Sequence, residues 1–355
     1  MSIAYYISSH GMGHAARAIQ VLRALPERIG LHLKSMAPEW FFWQEVRRPF
    51  TYTQDSFDCG VLETDSKGVD RLATLKTYAT VAERNSQRIE AEVEWLRSIG
   101  ARLVVSDVAA FPIKVAQAAG IPGILVGNFT WLDIYRPYMA KFPDFSRFLG
   151  PLEEQYRATS VAFITPPALP MEYLPAQTPV PMMARRGRNL RKELCAMYGI
   201  DPSRPLVLFY LGNLGMRFHW RSMEALSEYT FLTFSTLRGV RPKNLVTLEQ
   251  GVFDHPDVVA SVDVVAAKAG YGMVGECMAN GTPMLYMPRD HFAEFPALDQ
   301  ALQDWGGALR IPQKDFSNVR WADGLRELIS RERPLSIRSD GGQVVADALV
   351  KMMED

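Results

Sequence analysis

The segment Ser8-Ser9-His10-Gly11-Met12-Gly13-His14-Ala15-Ala16-Arg17 follows directly on an apolar run at residues 3–7 and opens an amphipathic helix expected over 15–25. An apolar strand that passes through glycines into a helix is the first βα unit of a parallel sheet. The helix N-terminus offers N–H groups that lack a carbonyl partner, which suits an anion or a sugar phosphate. Two histidines add a group able to move a proton near neutral pH. Together these residues point to acid–base chemistry on a phosphorylated or sugar-like ligand.

The same alternation continues along the chain. Strands are expected at 31–36, 103–107 and 123–126, with a long polar helix over 70–98 and a shorter one over 113–119 that stops at Gly120. Prolines at 166, 167, 170, 175, 179 and 181 interrupt the pattern and mark the expected connection between domains. A second α/β series then begins. It has a strand at 206–211 with its own turn, Gly212-Asn213-Leu214-Gly215, a strand at 262–267, a helix at 273–279, a strand at 284–287 and a helix at 297–305. A last helix, 343–353, is expected to return to the first domain. The reading is an α/β chain of two Rossmann-like, doubly wound parallel-sheet domains facing across a cleft, 1–165 (with 340–355) and 182–335. Two domains suit 355 residues, and ligands of such sheets gather at the carboxyl ends of the strands.

Bulk properties narrow the partners. Lys plus Arg equals Asp plus Glu at 39 each, so no global field recruits nucleic acid. Cys59, Cys195 and Cys277 are far apart and lack metal or redox spacing, as expected of thiols in a reducing cytosol. No leader pattern opens the chain and no apolar stretch is long enough to span a bilayer, so a cytoplasmic protein is expected. Aromatic clusters at Trp40-Phe41-Phe42-Trp43 and Phe129-Thr130-Trp131 are expected to be mostly core. Arg47 and Arg48 beside the first leave room for peripheral membrane contact. Zinc spacing, a phosphate-binding loop ending in Gly-Lys-Ser/Thr and a nucleophile elbow are all missing, and neither a metal nor a cofactor is expected. The sequence is silent on oligomeric state.

Individual residues carry the chemistry. His14 lies in the first turn of its helix, where the N-terminus disfavours the charged imidazole and leaves it able to accept a proton. His10, Gly11 and Gly13 complete the loop; the plainer alternative is that both histidines only bond within it. Asp107 ends its strand on the same sheet edge, placed either to orient an imidazole or to cap the helix that follows. The run Gly11-Met12-Gly13-His14-Ala15-Ala16 also satisfies the loose dinucleotide fingerprint, but Pro38 disturbs the position where the ribose-binding acid belongs. In the second domain, Lys268-Ala269-Gly270-Tyr271-Gly272-Met273-Val274-Gly275-Glu276 combines small residues, a helix N-terminus for a diphosphate, and a carboxylate suited to ribose hydroxyls. Arg289, Asp290 and Glu294 in the next loop either hold a sugar or phosphate or pair among themselves.

With these segments in view, the chain resembles GT-B glycosyltransferases over essentially its whole length. More narrowly, it is similar to the N-terminal glycosyltransferase-like region of plant L-arabinokinases. The likeness is carried by 9–17, Phe57-Asp58-Cys59-Gly60, Val69-Asp70-Arg71-Leu72-Ala73, Glu92-Val93-Glu94-Trp95-Leu96 with 104–108, and 268–276 with 289–296. It implies an acceptor domain first and a nucleotide-sugar domain second, and a transfer with inversion from a nucleoside diphosphate sugar, such as a UDP-sugar, to a hydroxyl acceptor. It implies His14 as base with Asp107 as its partner. It further implies a donor site from Gly212, Gly215, Lys268, Gly270, Tyr271, Gly272, Met273, Glu276, Arg289, Asp290 and Glu294. The loop at 290–294 lacks the Asp-Gln pair of plant small-molecule glycosyltransferases, which leaves the donor sugar open. Kinase activity in the plant proteins belongs to a separate downstream domain that this chain lacks, so it is not expected here. The alternatives are a nucleotide-sugar 2-epimerase and a non-catalytic sugar-nucleotide sensor or scaffold.

Overall fold

Strand β1 (Ser2–Ile7) is buried along its whole length, and its side chains alternate between two cores. Ile3, Tyr5 and Ile7 enter one apolar cluster, while Ala4 and Tyr6 enter another on the opposite face. A strand with two apolar faces requires helices on both. The computed structural model describes residues 1–8, 10–64, 68–211, 219–234, 242–289 and 292–354.

The chain divides into two units by its internal contacts. The first comprises Met1–Thr64, Val69–Met183 and Asp340–Asp355. In it β1 is joined by β2 (Gly30–Ser35), β3 (Thr51–Gln54), β6 (Ala101–Asp107), β7 (Gly123–Gly127), β8 (Val161–Ile164) and β9 (Gln177–Pro179). Two very short strands, β4 (Glu63–Thr64) and β5 (Gly68–Val69), lie outside this sheet. Its order is β3-β2-β1-β6-β7-β8-β9, and every pairing is parallel. The chain therefore winds outward from β1 and then returns to β6 beside it. The crevice at the carboxyl ends of these two strands is where such a sheet admits a ligand. The helices are α1 (Met12–Ala24), α2 (Glu39–Glu45), α3 (Arg71–Ser86), α4 (Ile89–Ser98), α5 (Phe111–Ala119), α6 (Trp131–Lys141) and α7 (Leu149–Arg157).

In several places the structure departs from the sequence expectation. Helix α1 starts at Met12 rather than residue 15, because Gly11 takes φ +76° and turns the chain early. The single helix expected over 70–98 is two: Asp70 caps α3, and the run breaks at Gln87 and Arg88, where Asn85 donates to the Phe57 carbonyl at 2.8 Å. The proline-rich stretch expected as a connection contributes β9, which pairs with β8, and the first unit runs on to Met183. Proline suits this outermost strand, where a missing N–H costs no central ladder bond. Of the first aromatic cluster only Phe42 is core, while Trp40 and Trp43 are half-exposed.

The second unit holds Ala184–Ser339. Its sheet contains β10 (Leu206–Tyr210), β11 (Thr230–Thr233), β12 (Leu245–Thr247), β13 (Val264–Lys268), β14 (Met284–Met287) and β15 (Ala308–Arg310), in the order β12-β11-β10-β13-β14-β15. All its pairings are parallel, and the winding reverses between β10 and β13. Its helices are α8 (Arg191–Tyr198), α9 (His255–Ser261), α10 (Tyr271–Asn280), α11 (Phe295–Trp305), α12 (Gln313–Ser317) and α13 (Ala322–Ser330). Phe209, Phe231 and Trp321 anchor the core beneath the sheet. Among the described residues no helix is long and apolar enough to cross a membrane.

The final helix, α14 (Gly341–Glu354), belongs to the first unit and packs on α1. Two glycines permit this approach. A Cβ on Gly342 would lie 2.6 Å from the Gln20 backbone, and one on Gly341 would lie 2.0 Å from the Pro181 carbonyl oxygen. Gly342→Ala is therefore expected to cost about 1–3 kcal/mol through overpacking, read as a lower urea midpoint. An unchanged midpoint would show that α14 can shift freely on α1.

Candidate active site

Strand periodicity determines where the first polar cluster forms. Leu103 and Val105 of β6 face the α1 side of the sheet, so Asp107 two residues later faces it as well. On α1, His14 and Arg17 lie three residues apart and share a helix face. The two elements meet there. His14 Nδ1 is 2.5 Å from Asp107 Oδ1. Arg17 donates from Nε to Asp107 Oδ2 and from a terminal nitrogen to Oδ1, both at 2.9 Å. Its other terminal nitrogen donates to Asn128 Oδ1 at 2.5 Å. Asp107 is fully buried, and His14 and Arg17 nearly so.

Electrostatics assigns the proton. Burial alone would push the Asp107 carboxyl up, but Arg17 and His14 beside it hold it below the usual carboxylate range. An ionised carboxylate only accepts hydrogen bonds, so the hydrogen between the pair belongs to His14 Nδ1. Arg17 also approaches Nδ1, at 3.1 Å, but a protonated Nδ1 cannot accept from it. That contact is charge beside ring, and in the neutral imidazole the lone pair lies on Nε2. Asp107 does not cap α5, whose N-cap is Ala110, so of its two sequence-derived roles the structure shows the pairing with imidazole.

The turn after Asp107 is strained. Val108 has φ +56°, a conformation that costs a β-branched residue about 1–3 kcal/mol. It is held by Tyr156, whose hydroxyl donates to the Val108 carbonyl at 2.6 Å. Gly127 leaves room for the displaced side chain, since a Cβ there would meet Val108 at 2.6 Å.

Around His14 the walls are aromatic. Its ring lies 5.8 Å from Phe129 and 6.0 Å from Trp131, between ring centroids. His10 packs edge-on to Trp131 at 5.5 Å, and Gly60 is needed there because a Cβ would strike the His10 ring at 2.5 Å. Trp131 donates from Nε1 to Asp58 at 2.9 Å and stacks on Tyr135. These two residues, with Phe57, Asp58, Tyr78 and Phe111, line a cavity of about 200 Å³. Gly11 and Gly13 are exposed, and a Cβ on either would meet nothing within 4 Å. Among the described residues no neighbouring side chain explains the lack of one at Gly13.

In the second unit, Lys268 ends β13 and Gly270 is the N-cap of α10, with no side chain among the described residues capping the helix. Gly270 and Gly272 also face open space, while Met273 is buried and Lys268 and Tyr271 are partly buried. Small residues at a helix N-terminus are suited to the close approach of a ligand. Glu276 sits one turn further in and is 5 % exposed. Its Oε1 accepts from Arg185 Nε and Oε2 contacts His255 Nδ1, both at 2.7 Å. Burial would raise its pKa, but Arg185 and His255 more than offset this and bring it down to about 2.

Other residues expected at the donor site are placed as follows. Glu294 is buried as the N-cap of α11, and the Arg289 guanidinium lies 3.5 Å from the Phe292 ring centroid. Gly212, Gly215 and Asp290 lie outside the described residues. Among the described residues no group of three or more His, Cys, Asp or Glu gathers to hold a metal. Sequence reasoning overlooked Arg17, Asn128, Arg185 and His255. Arg17 carried a signal, being three residues after His14 on one helix face; the others carried none, since their partners are remote in the chain.

Comparison with known proteins finds two relatives by sequence and a similar fold among solved structures. The chain is 29% identical to L-arabinokinase of Arabidopsis thaliana over 351 residues, covering 98% of this chain and 34% of that protein. It is 31% identical over 133 residues to the UDP-N-acetylglucosamine--N-acetylmuramyl-(pentapeptide) pyrophosphoryl-undecaprenol N-acetylglucosamine transferase of Rhodopseudomonas palustris (strain HaA2), covering 33% of this chain and 35% of that one. It thus spans about a third of the length of each. Among solved structures, the glycotransferase of kitacinnamycin matches with a TM-score of 0.67 at 16% identity, over 99% of this chain and 98% of that one. No family model matches. The chain has the GT-B fold, two parallel-sheet α/β units of seven and six strands.

Proposed function

We propose that this chain is an inverting glycosyltransferase that moves a sugar from a nucleoside diphosphate donor, with uridine as the base, to a hydroxyl acceptor. The observation that carries the reading is the 2.5 Å contact between His14 Nδ1 and Asp107 at the carboxyl edge of the first sheet. It leaves Nε2 as a base, in the arrangement that orients an imidazole for proton abstraction. Uncapped amides at the start of α10 supply the second requirement, a place for a diphosphate.

In this reading the acceptor hydroxyl gives its proton to His14 Nε2 as its oxygen bonds to the anomeric carbon. The bond from that carbon to the diphosphate oxygen breaks on the opposite face, and the configuration inverts. Asp107 stabilises the imidazolium that forms. The α10 amides and Lys268 take up the charge on the departing diphosphate. The aromatic cavity lined in part by Trp131 and Tyr135 receives the acceptor, and Glu276 meets the nucleotide ribose.

The test is a thermal-shift screen across nucleotide sugars, followed by NMR of products formed with the best-bound donor and a panel of hydroxyl acceptors. Stabilisation by a UDP-sugar and a product of inverted anomeric configuration are expected. A tightly bound donor that is neither transferred nor hydrolysed would replace this reading with a sensor, and isomerised free donor would replace it with an epimerase.

A further inference from the structure

Among the described residues, the Glu276 cluster leaves one buried polar atom without a partner. Glu276 is ionised and only accepts hydrogen bonds, so the hydrogen in its 2.7 Å contact with His255 belongs to Nδ1. Arg185 serves the other carboxylate oxygen. His255 Nε2, on the far side of the ring, is buried and accepts or donates nothing among the described residues. An unpaired polar atom in the interior costs free energy that a well-placed partner restores.

The surroundings of that atom are those of a ligand contact. The His255 ring packs 5.0 Å from the ring of Tyr210, the last residue of β10, and 5.4 Å from that of Phe234, which follows β11. Both lie at the carboxyl edge of the second sheet, beside the reversal of winding between β10 and β13. Such sheets admit their ligands in that crevice. Two aromatic neighbours and the bond to Glu276 hold the imidazole in one orientation before any ligand arrives.

We infer that His255 is a specificity residue for the donor: its Nε2 bonds one hydroxyl of the nucleotide ribose while Glu276 meets the neighbouring one, so that the pair selects ribose over deoxyribose. A hydroxyl both donates and accepts, and therefore satisfies Nε2 in either protonation state of the imidazole. A base carbonyl or ring N–H would match only one of them.

The inference rests on the proposed donor site, but it is read from binding alone. Calorimetry compares UDP, 2′-deoxy-UDP and 3′-deoxy-UDP on the intact chain, in the parent and in H255N and H255Q. The parent is expected to bind UDP about tenfold more tightly than either analogue, the worth of one well-made hydrogen bond. In H255N an amide N–H replaces Nδ1 and nothing replaces Nε2, so Glu276 keeps its donor. This variant should lose the preference over one analogue and keep it over the other. H255Q places an amide near the position of Nε2 and should retain part of the lost preference. A histidine that only supported Glu276 would, when replaced, weaken all three ligands alike; preferences in H255N equal to those of the parent overturn the inference. A parent that binds UDP no better than one of the analogues overturns it without any variant. A chain whose H255N loses the preference yet whose parent transfers no sugar keeps this inference and loses the proposed function. Sugar transfer with the preference intact in H255N does the opposite.

Discussion

His14→Ala is expected to lower sugar transfer by roughly 10²–10⁴-fold, the usual contribution of a positioned general base. Nucleotide binding should survive, since the residues proposed for it belong to the other unit. Stability should change little. Asp107 keeps both bonds to Arg17 when the imidazole is removed, so no buried charge is left unpaired. The comparison therefore separates chemistry from folding: kcat with a saturating donor is measured beside the melting temperature and the nucleotide Kd. Turnover within a factor of three of the parent would remove His14 from the base position.

Glu276→Gln carries the second large effect, and here stability and binding move together. The native carboxyl titrates at about 2 against an ordinary value of 4.5, so the folded protein releases the proton more readily than the unfolded chain. Such a depressed group stabilises fully above pH 4.5 and loses its contribution as pH falls from there to about 2. The shift corresponds to about 3 kcal/mol at neutral pH. The amide leaves Arg185 and His255 facing a neutral group, and urea unfolding at pH 7 should reveal the loss. At pH 3 the gap between variant and parent should narrow. Calorimetry with UDP should also show weaker binding. An unchanged nucleotide Kd alongside lost stability would make the Arg185–Glu276–His255 triad a structural ion cluster and remove Glu276 from the donor site.

How far these sites were legible depended on distance along the chain. The strand at 3–7, the glycine turn and the helix after it announced themselves through apolar runs and punctuation within 20 residues. Asp107 was visible as the polar end of a buried strand, but that it faces α1 came with the structure, which puts Leu103 and Val105 on that side. Strands β3, β8, β9, β11, β12 and β15 escaped notice: each has three or four residues and no apolar alternation strong enough to read. Pairing with a neighbour already in place makes them strands, which is a tertiary effect. Trp40 and Trp43 misled for a related reason, since four consecutive aromatics in a two-turn helix cannot all face inward.

Local chemistry was enough to settle the βα order, the two glycine-led helix ends, and the placement of His14 in a first helix turn and Asp107 at a strand end. Those properties depend on residues close in sequence, whose sterics and periodicity act before any fold exists. The choice among the roles of Asp107, the capture of its charge by Arg17, and the enclosure of Glu276 by Arg185 and His255 came only with the tertiary structure. Each joins residues 21 to 93 positions apart. Whether a buried charge is a ligand, a cap or half of an ion pair depends on which countercharge the packing brings to it, and packing is set by the whole chain.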